Sequence, residues 1–273
     1  MCTNAYGKCF VLADGSFGRH TAIGISARAR GDGALALGTQ TKATSIRSTA
    51  IGHQAEASGA DSISIGTLSG ASNTHSIAIG DKARAYGIDA IAFGASANAT
   101  ATNSMAVGRN ARSTAGGSVA VGINTEVTQI NSVAMGATAK AYGDSAVSLG
   151  VDVVSRGHSA VAVGANADAL AQSAVSIGDS TLANAHNAVS VGISSQATAE
   201  RAIAMGDSTR ATAWDGVAIG TAAKANATGA VAIGKDALAN QEAGTAVGIG
   251  AEATGQYAAA FGDIDLERKS GQQ

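Results

Sequence analysis

From residue 21 to residue 261 the chain cycles between two kinds of run. In one, large apolar side chains are separated by small ones; in the other, small side chains are separated by polar ones. Glycine marks the cycle. Gly24, Gly38, Gly52, Gly66, Gly80, Gly94, Gly108, Gly122, Gly136, Gly150, Gly164, Gly178, Gly192, Gly206, Gly220, Gly234, Gly248 and Gly262 are spaced by 14 residues, 18 glycines without an insertion or deletion. A fixed internal period is decisive for architecture and is read before any local signal.

The residue before each glycine is large and apolar, as in Ile79, Phe93, Val107 and Met135. Two before it stands Ala or Ser, and three before it a branched or long residue such as Ile77, Ile91 or Val119. Four before it the residue is nearly always Ser, Ala or Gly. Period-two alternation over a short run bounded by glycine predicts a β-strand. Three and five residues after the glycine come small residues, as in Ala83 and Ala85, with Arg84, Asn98, Arg112 or Lys140 between them. This predicts a second short strand. Each 14-residue unit reads strand, glycine turn, strand, turn: one coil of a narrow β-solenoid, since the apolar period is two and not 3.6. The glycines are read as turn residues with positive φ, and their recurrence outside any strand–helix context argues against phosphate loops.

The second strand carries charge on one face only. The first carries none on either face, His20 at its edge excepted, and a strand uncharged on both faces is normally buried on both. A thin roll can cover only one of them itself, so self-association along the length of the chain is expected. The preferred assignment puts the large columns inside the roll, opposite the small Ala column. Ser76, Ala78, Ala90, Ala92, Ser104, Ala106, Ser118, Ala120, Ser132 and Ala134 then form a flat subunit interface. The reverse assignment satisfies the same alternation. Either way 32 bulky apolar residues, 18 next to glycine and 14 two places earlier, seek cover.

Composition fits a stack of small residues. The 273 residues include 36 Gly, no Pro and 3% aromatic residues, yet 45% are hydrophobic. That content argues against disorder, and the absence of proline excludes collagen. A net charge of −2 offers no case for nucleic acid or an electrostatic membrane patch. The start of the chain shows no secretory signal, and no apolar run approaches the ~20 residues of a membrane-spanning helix. Cys2 and Cys9, the only cysteines, form a local disulfide or remain two thiols; neither has a zinc-type spacing.

The units Asn103-Ser-Met-Ala-Val-Gly108, Asn131-Ser-Val-Ala-Met-Gly136 and Asn187-Ala-Val-Ser-Val-Gly192, with the intervening Ala-x-Ala segments, resemble the head repeats of YadA-like trimeric autotransporter adhesins. The resemblance spans residues 20–262, with residues 1–19 as an N-terminal cap or degenerate coil and 263–273 as a tail. It implies an all-β, left-handed parallel β-roll whose chains pack side by side as a homotrimer. It also implies a bacterial surface adhesin, held at the outer membrane, that binds host matrix proteins or cells or mediates autoaggregation. The signal, neck, stalk and membrane barrel of such proteins are not seen in this sequence. It therefore reads as a fragment, a truncated product, or a head put to another use.

Candidate chemistry is sparse. His158 and His186 share a column but lie two coils apart, about 9–10 Å, too far for a shared metal. His53 and His75 fall in other turn columns and read as solvated. No Ser-His-Asp or paired-carboxylate arrangement stands out, and no enzyme, cofactor or metal is read. Tyr86 and Tyr142 lie four coils apart and Trp214 in a turn, as scattered surface aromatics. Thr100, Thr114 and Thr128 form a short ladder, but the adjacent Asn98, Arg112 and Glu126 do not continue it, which speaks against ice binding. Besides the adhesin head, a structural trimeric fibre such as a phage-tail spacer accommodates these repeats. A hexapeptide-repeat acyltransferase does not, because its period of six conflicts with 14. The two-faced strand predicts an oligomer in sedimentation at micromolar concentration; a monomer there would contradict it.

Overall fold

The computed structural model describes residues 2–3, 9–12 and 19–262. The chain is an all-β parallel β-solenoid of about 17 turns, without a helix among the described residues. It comprises two compact units, Met1–Ser145 and Ala146–Gln273.

Each coil has a three-residue strand and a two-residue strand. In one coil these are Ile77–Ile79 and Arg84–Ala85. The long strand pairs in parallel with the equivalent strand of the next coil, Ile77 opposite Ile91 and Ile79 opposite Phe93. The short strand does the same, Arg84 opposite Asn98. Two strands of the second unit, Val147–Val151 and Val161–Ala165, extend to five residues and pair through their glycines. At the start of the chain, Cys9–Leu12 runs antiparallel to Thr21–Ile23, and Cys2–Thr3 antiparallel to Cys9–Phe10. The side chains of Cys2 and Cys9, and the tail 263–273, lie outside the described residues.

The turns are as regular as the strands. After the glycine, which has φ between 120° and 140° from Gly24 to Gly248, the second residue on is left-handed, and so is the ninth. At these sites the non-glycine residues have φ of 50–58° and are mostly Ser, Asn and Asp; Asn and Asp enter this region more readily than other residues with a Cβ. The left-handed N–H groups donate to the previous coil: Lys82 N–H to the Thr67 carbonyl at 2.8 Å, Asp89 N–H to Thr74 at 3.0 Å. Turns therefore belong to the hydrogen-bonded ladder, and few backbone groups need water.

The interior is made of the small columns. Ala78, Ala83, Ala85, Ala90 and Ala92 have no exposed surface in the single chain, and the largest fully buried side chains are Val127 and Val153. Buried hydroxyls are bonded, as burial without a partner would be costly. Ser76 Oγ donates to the Asn73 carbonyl at 2.6 Å, Thr125 Oγ1 to the Gly136 carbonyl at 2.8 Å, and Ser64 pairs with Ser69 across the roll at 2.7 Å.

This reverses the preferred facing of the long strand. Ser76, Ala78, Ala90, Ala92, Ser104, Ala106, Ser118, Ala120, Ser132 and Ala134, expected between subunits, are buried inside the chain's own roll. The large columns point outward instead: Phe93 is 52% exposed, Met135 45% and Leu37 39%. The reason is steric. The two strands are joined by only four or five residues on either side, and the space between them is filled by Ala, Ser and Thr from both.

Glycine at the first turn has a second cause besides φ. A Cβ built on Gly94 would lie 2.6 Å from the carbonyl oxygen of Gly108 in the next coil, so the glycines stack in a column that excludes side chains. Gly94→Ala should thus combine backbone strain of about 1–3 kcal/mol with overpacking of similar size, seen as a lower midpoint in urea. Ala222, at φ 56°, occupies a left-handed site without need of its Cβ. Ala222→Gly should shift the midpoint the other way, by about 0.5–1 kcal/mol.

Candidate functional site

Since the roll fills itself, its chemistry is confined to outward columns. Three of these differ in kind.

The outward face of the long strands is apolar. Between Leu35–Leu37 and Val133–Met135 in the first unit, each strand presents two outward side chains, and only Thr49 breaks the run of large apolar ones. Ile77 and Ile79 are half-buried by their neighbours in the sheet and Phe93 is exposed. In the second unit the same columns expose Ile177, Met205, Ile219 and Ile233. Such a stripe is larger than the scattered apolar residues of an ordinary surface and marks an interaction face. The sequence marked these columns as apolar but left open which way they faced.

The second outward region is the left-handed turn nine residues after the glycine. In four consecutive coils it reads Arg47, Asp61, His75, Asp89, basic and acidic residue types in turn. Arg47 binds Asp61 through Nε at 2.5 Å and a terminal nitrogen at 2.7 Å. His75 Nδ1 lies 2.9 Å from Asp89, and its Nε2 3.9 Å from Asp61. In the second unit Arg201 makes a bidentate pair with Asp215 at 2.6 and 2.8 Å. It also contacts Glu200 at 3.0 Å and stacks 4.8 Å from the Trp214 ring centre. The Trp214 indole N–H donates to Glu200 at 3.2 Å. Hydrogen bonding to the guanidinium holds the Asp61 and Asp215 carboxyls below their ordinary value, and raises Arg47 and Arg201 above theirs. These pairs were legible in the sequence as opposite charges 14 residues apart, had the turn columns been read downwards as well as along the chain.

The third is the outward face of the short strands, mostly polar. Tyr142 is half-buried and donates to Glu126 at 2.6 Å, whereas Tyr86 is exposed with its ring over Gly70, 3.2 Å from where a Cβ would sit. The two tyrosines are not brought together. Thr100, Thr114 and Thr128 are half-buried, with Thr114 bonded to the Val127 carbonyl at 3.4 Å. His53, His158 and His186 are exposed and separate, and His158 contacts Ser159 at 2.9 Å. Among the described residues no group of three His, Cys, Asp or Glu is placed to hold a metal ion. Asp168 stands between Val154 and Leu182 on neighbouring strands, and burial pushes its carboxyl up, partly opposed by Arg156.

A parallel β-solenoid with an interior of small side chains, an outward apolar face and ladder-paired turns places the chain among the β-solenoid repeat proteins. The chain belongs to the YadA head domain family: its repeat matches at 21–41, 43–69, 71–97, 99–125, 128–152, 155–181, 183–209, 211–237 and 239–263. Each matched segment spans about two coils. Among solved structures, the chain is similar to one described as the collagen-binding domain of the Yersinia adhesin YadA, with 28% identity over 53% of this chain and 73% of that one, at a TM-score of 0.38. No curated protein matches the chain.

Two carboxylates make opposite predictions for acid titration. The depressed Asp215 contributes stability above its unfolded value, lost as pH falls through its lower folded value. Fluorescence of Trp214, the sole tryptophan, should change below pH 3.8, and Asp215→Asn should remove that step. For the raised Asp168 the favourable state is the protonated one, lost as pH rises through the folded value. Asp168→Asn should therefore raise the melting temperature slightly at pH 7 and leave it unchanged well below pH 3.8.

Proposed function

We propose that this chain is the head of a trimeric bacterial surface adhesin, three left-handed rolls side by side along their apolar stripes. The head attaches to host extracellular matrix or cells, or to heads on other bacteria, through many repeated weak contacts. Membership of the YadA head family supports the adhesive role, and collagen-like matrix proteins are the first ligands to try. The observation that carries the assembly is the outward facing of the large columns. Covering a half-exposed Ile, Met or Phe contributes about 1 kcal/mol, and the stripe recurs coil after coil, enough in sum to offset the cost of association. Repetition then replaces a deep pocket: where three heads engage one fibre, the second and third contacts form at high effective concentration.

Ile91 and Ala92 are neighbours facing opposite ways, which separates assembly from folding. Ile91→Asp with Met105→Asp should give a soluble monomer in sedimentation with the β circular dichroism of the parent. Ala92→Asp should unfold the coils around it. On immobilised fibrillar collagen the folded monomer should bind at least a hundredfold more weakly per chain. An intact trimer in the Ile91/Met105 variant would overturn the interface. Equal binding per chain by the monomer would overturn avidity.

A further inference from the structure

The outward face of the short strands lies on the side of the roll away from the apolar stripe, so it stays accessible whatever covers that stripe. Across four coils of the first unit this face holds an open groove of about 480 Å³. Its walls come from residues two and four places after the glycines: Ser26, Arg28, Gln40, Lys42, Gln54 and Glu56, ending at Leu68. Arg28 and Lys42 are direct strand neighbours, which puts their Cα atoms about 5 Å apart. Both are exposed, and Arg28 has no ion-pair partner among the described residues. Lys42 touches Glu56 at 3.4 Å. Gln54 Nε2 donates to Gln40 Oε1 at 2.6 Å, which leaves the Gln40 amide N–H2 and the Gln54 carbonyl for a ligand.

We infer that this groove binds a linear saccharide carrying sulfate or carboxylate groups. Two adjacent cations attract the anionic substituent, and the Arg28 fork suits a planar carboxylate or a sulfate edge. The remaining wall offers donors and acceptors in mixture: a serine hydroxyl, two amides and a carboxylate. Sugar hydroxyls, which donate and accept, match such a set. Leu68, 45% exposed, gives the C–H face of a ring an apolar seat. A nucleic acid fits worse: Glu56 would repel its phosphates, and the groove has no aromatic side chain on which bases stack. The site is separate from the apolar stripe and does not depend on assembly.

The test is isothermal titration of the whole chain with size-matched probes: a heparin-derived hexasaccharide, a hyaluronan hexasaccharide, a neutral glucan hexasaccharide and a single-stranded DNA hexamer. One or both of the acidic saccharides should bind: binding of heparin alone assigns sulfate, which hyaluronan lacks, and binding of hyaluronan shows that carboxylate suffices; the glucan and the DNA should bind at least tenfold more weakly. Arg28→Gln with Lys42→Gln should lose at least tenfold in affinity. Arg210→Gln with Lys224→Gln, which removes the same charge from the same column in the second unit, should lose less than twofold. Glu56→Gln separates recognition from plain charge attraction. A saccharide that uses the carboxylate as acceptor should bind about threefold more weakly, whereas a mere polyanion would bind more tightly. No binding of either acidic saccharide at millimolar concentration, DNA binding as tight as saccharide, or an affinity gain in Glu56→Gln would each overturn the inference. An unchanged sedimentation state in the Arg28/Lys42 variant would show that the groove is separate from the apolar stripe; loss of assembly together with saccharide binding would overturn their separation.

Discussion

Within each unit, coil is tied to coil by parallel backbone hydrogen bonds at both strands and at both left-handed turns, and the other features follow from that continuity. A ladder that includes its turns leaves no slack: each coil must repeat the one before it, residue for residue. Hence the uninterrupted register of the glycines. Gly80 N–H reaching Ile65 and Gly94 N–H reaching Ile79, both at 2.8 Å, are the same bond drawn one coil apart. A side chain in that column would enter the neighbouring glycine's carbonyl, so the column admits only glycine.

A coil so tightly closed leaves little room inside. Alanine fills it without rotamer entropy to lose. Serine and threonine enter only where a carbonyl or a second hydroxyl answers them, as Ser62 does at the Gly59 carbonyl at 2.7 Å. Such an interior gives modest hydrophobic stabilisation per residue. Stability of a solenoid is then largely a sum of like coil-to-coil contacts, supplemented outside by rungs such as Asn110–Asn124 and Gln54–Gln40. These exposed rungs are individually weak.

Function sits on what the narrow roll turns outward. In each unit the large apolar side chains excluded from the interior make an outward apolar face. The opposite face carries charge and hydrogen-bonding groups that vary from coil to coil: Arg28 and Lys42 near the start of the first unit, Val154, Asp168 and Leu182 in the second. An invariant scaffold thus presents a variable surface, and ligand choice can change without disturbing a hydrogen bond of the ladder.

Much of this was legible in the sequence. Period, strand positions and glycine turns all followed from the 14-residue columns, because the ladder imposes identical chemistry on identical positions. The ladders Arg47–Asp61 and Arg201–Asp215 were there to be read as well. Which way the long strand faced was not. A period of two is unchanged when a strand is turned over, so Ile77-Ala78-Ile79 is equally consistent with large residues in or out. The tertiary structure decided it through distance: short turns hold the two strands close together, and the space between them is filled by alanine, serine and threonine, with nothing larger than Val127 and Val153 fully buried. The groove at Arg28 and Lys42 was hidden for the same kind of reason. Its walls come from four coils, 14, 28 and 42 residues apart along the chain, and no segment of sequence holds them together.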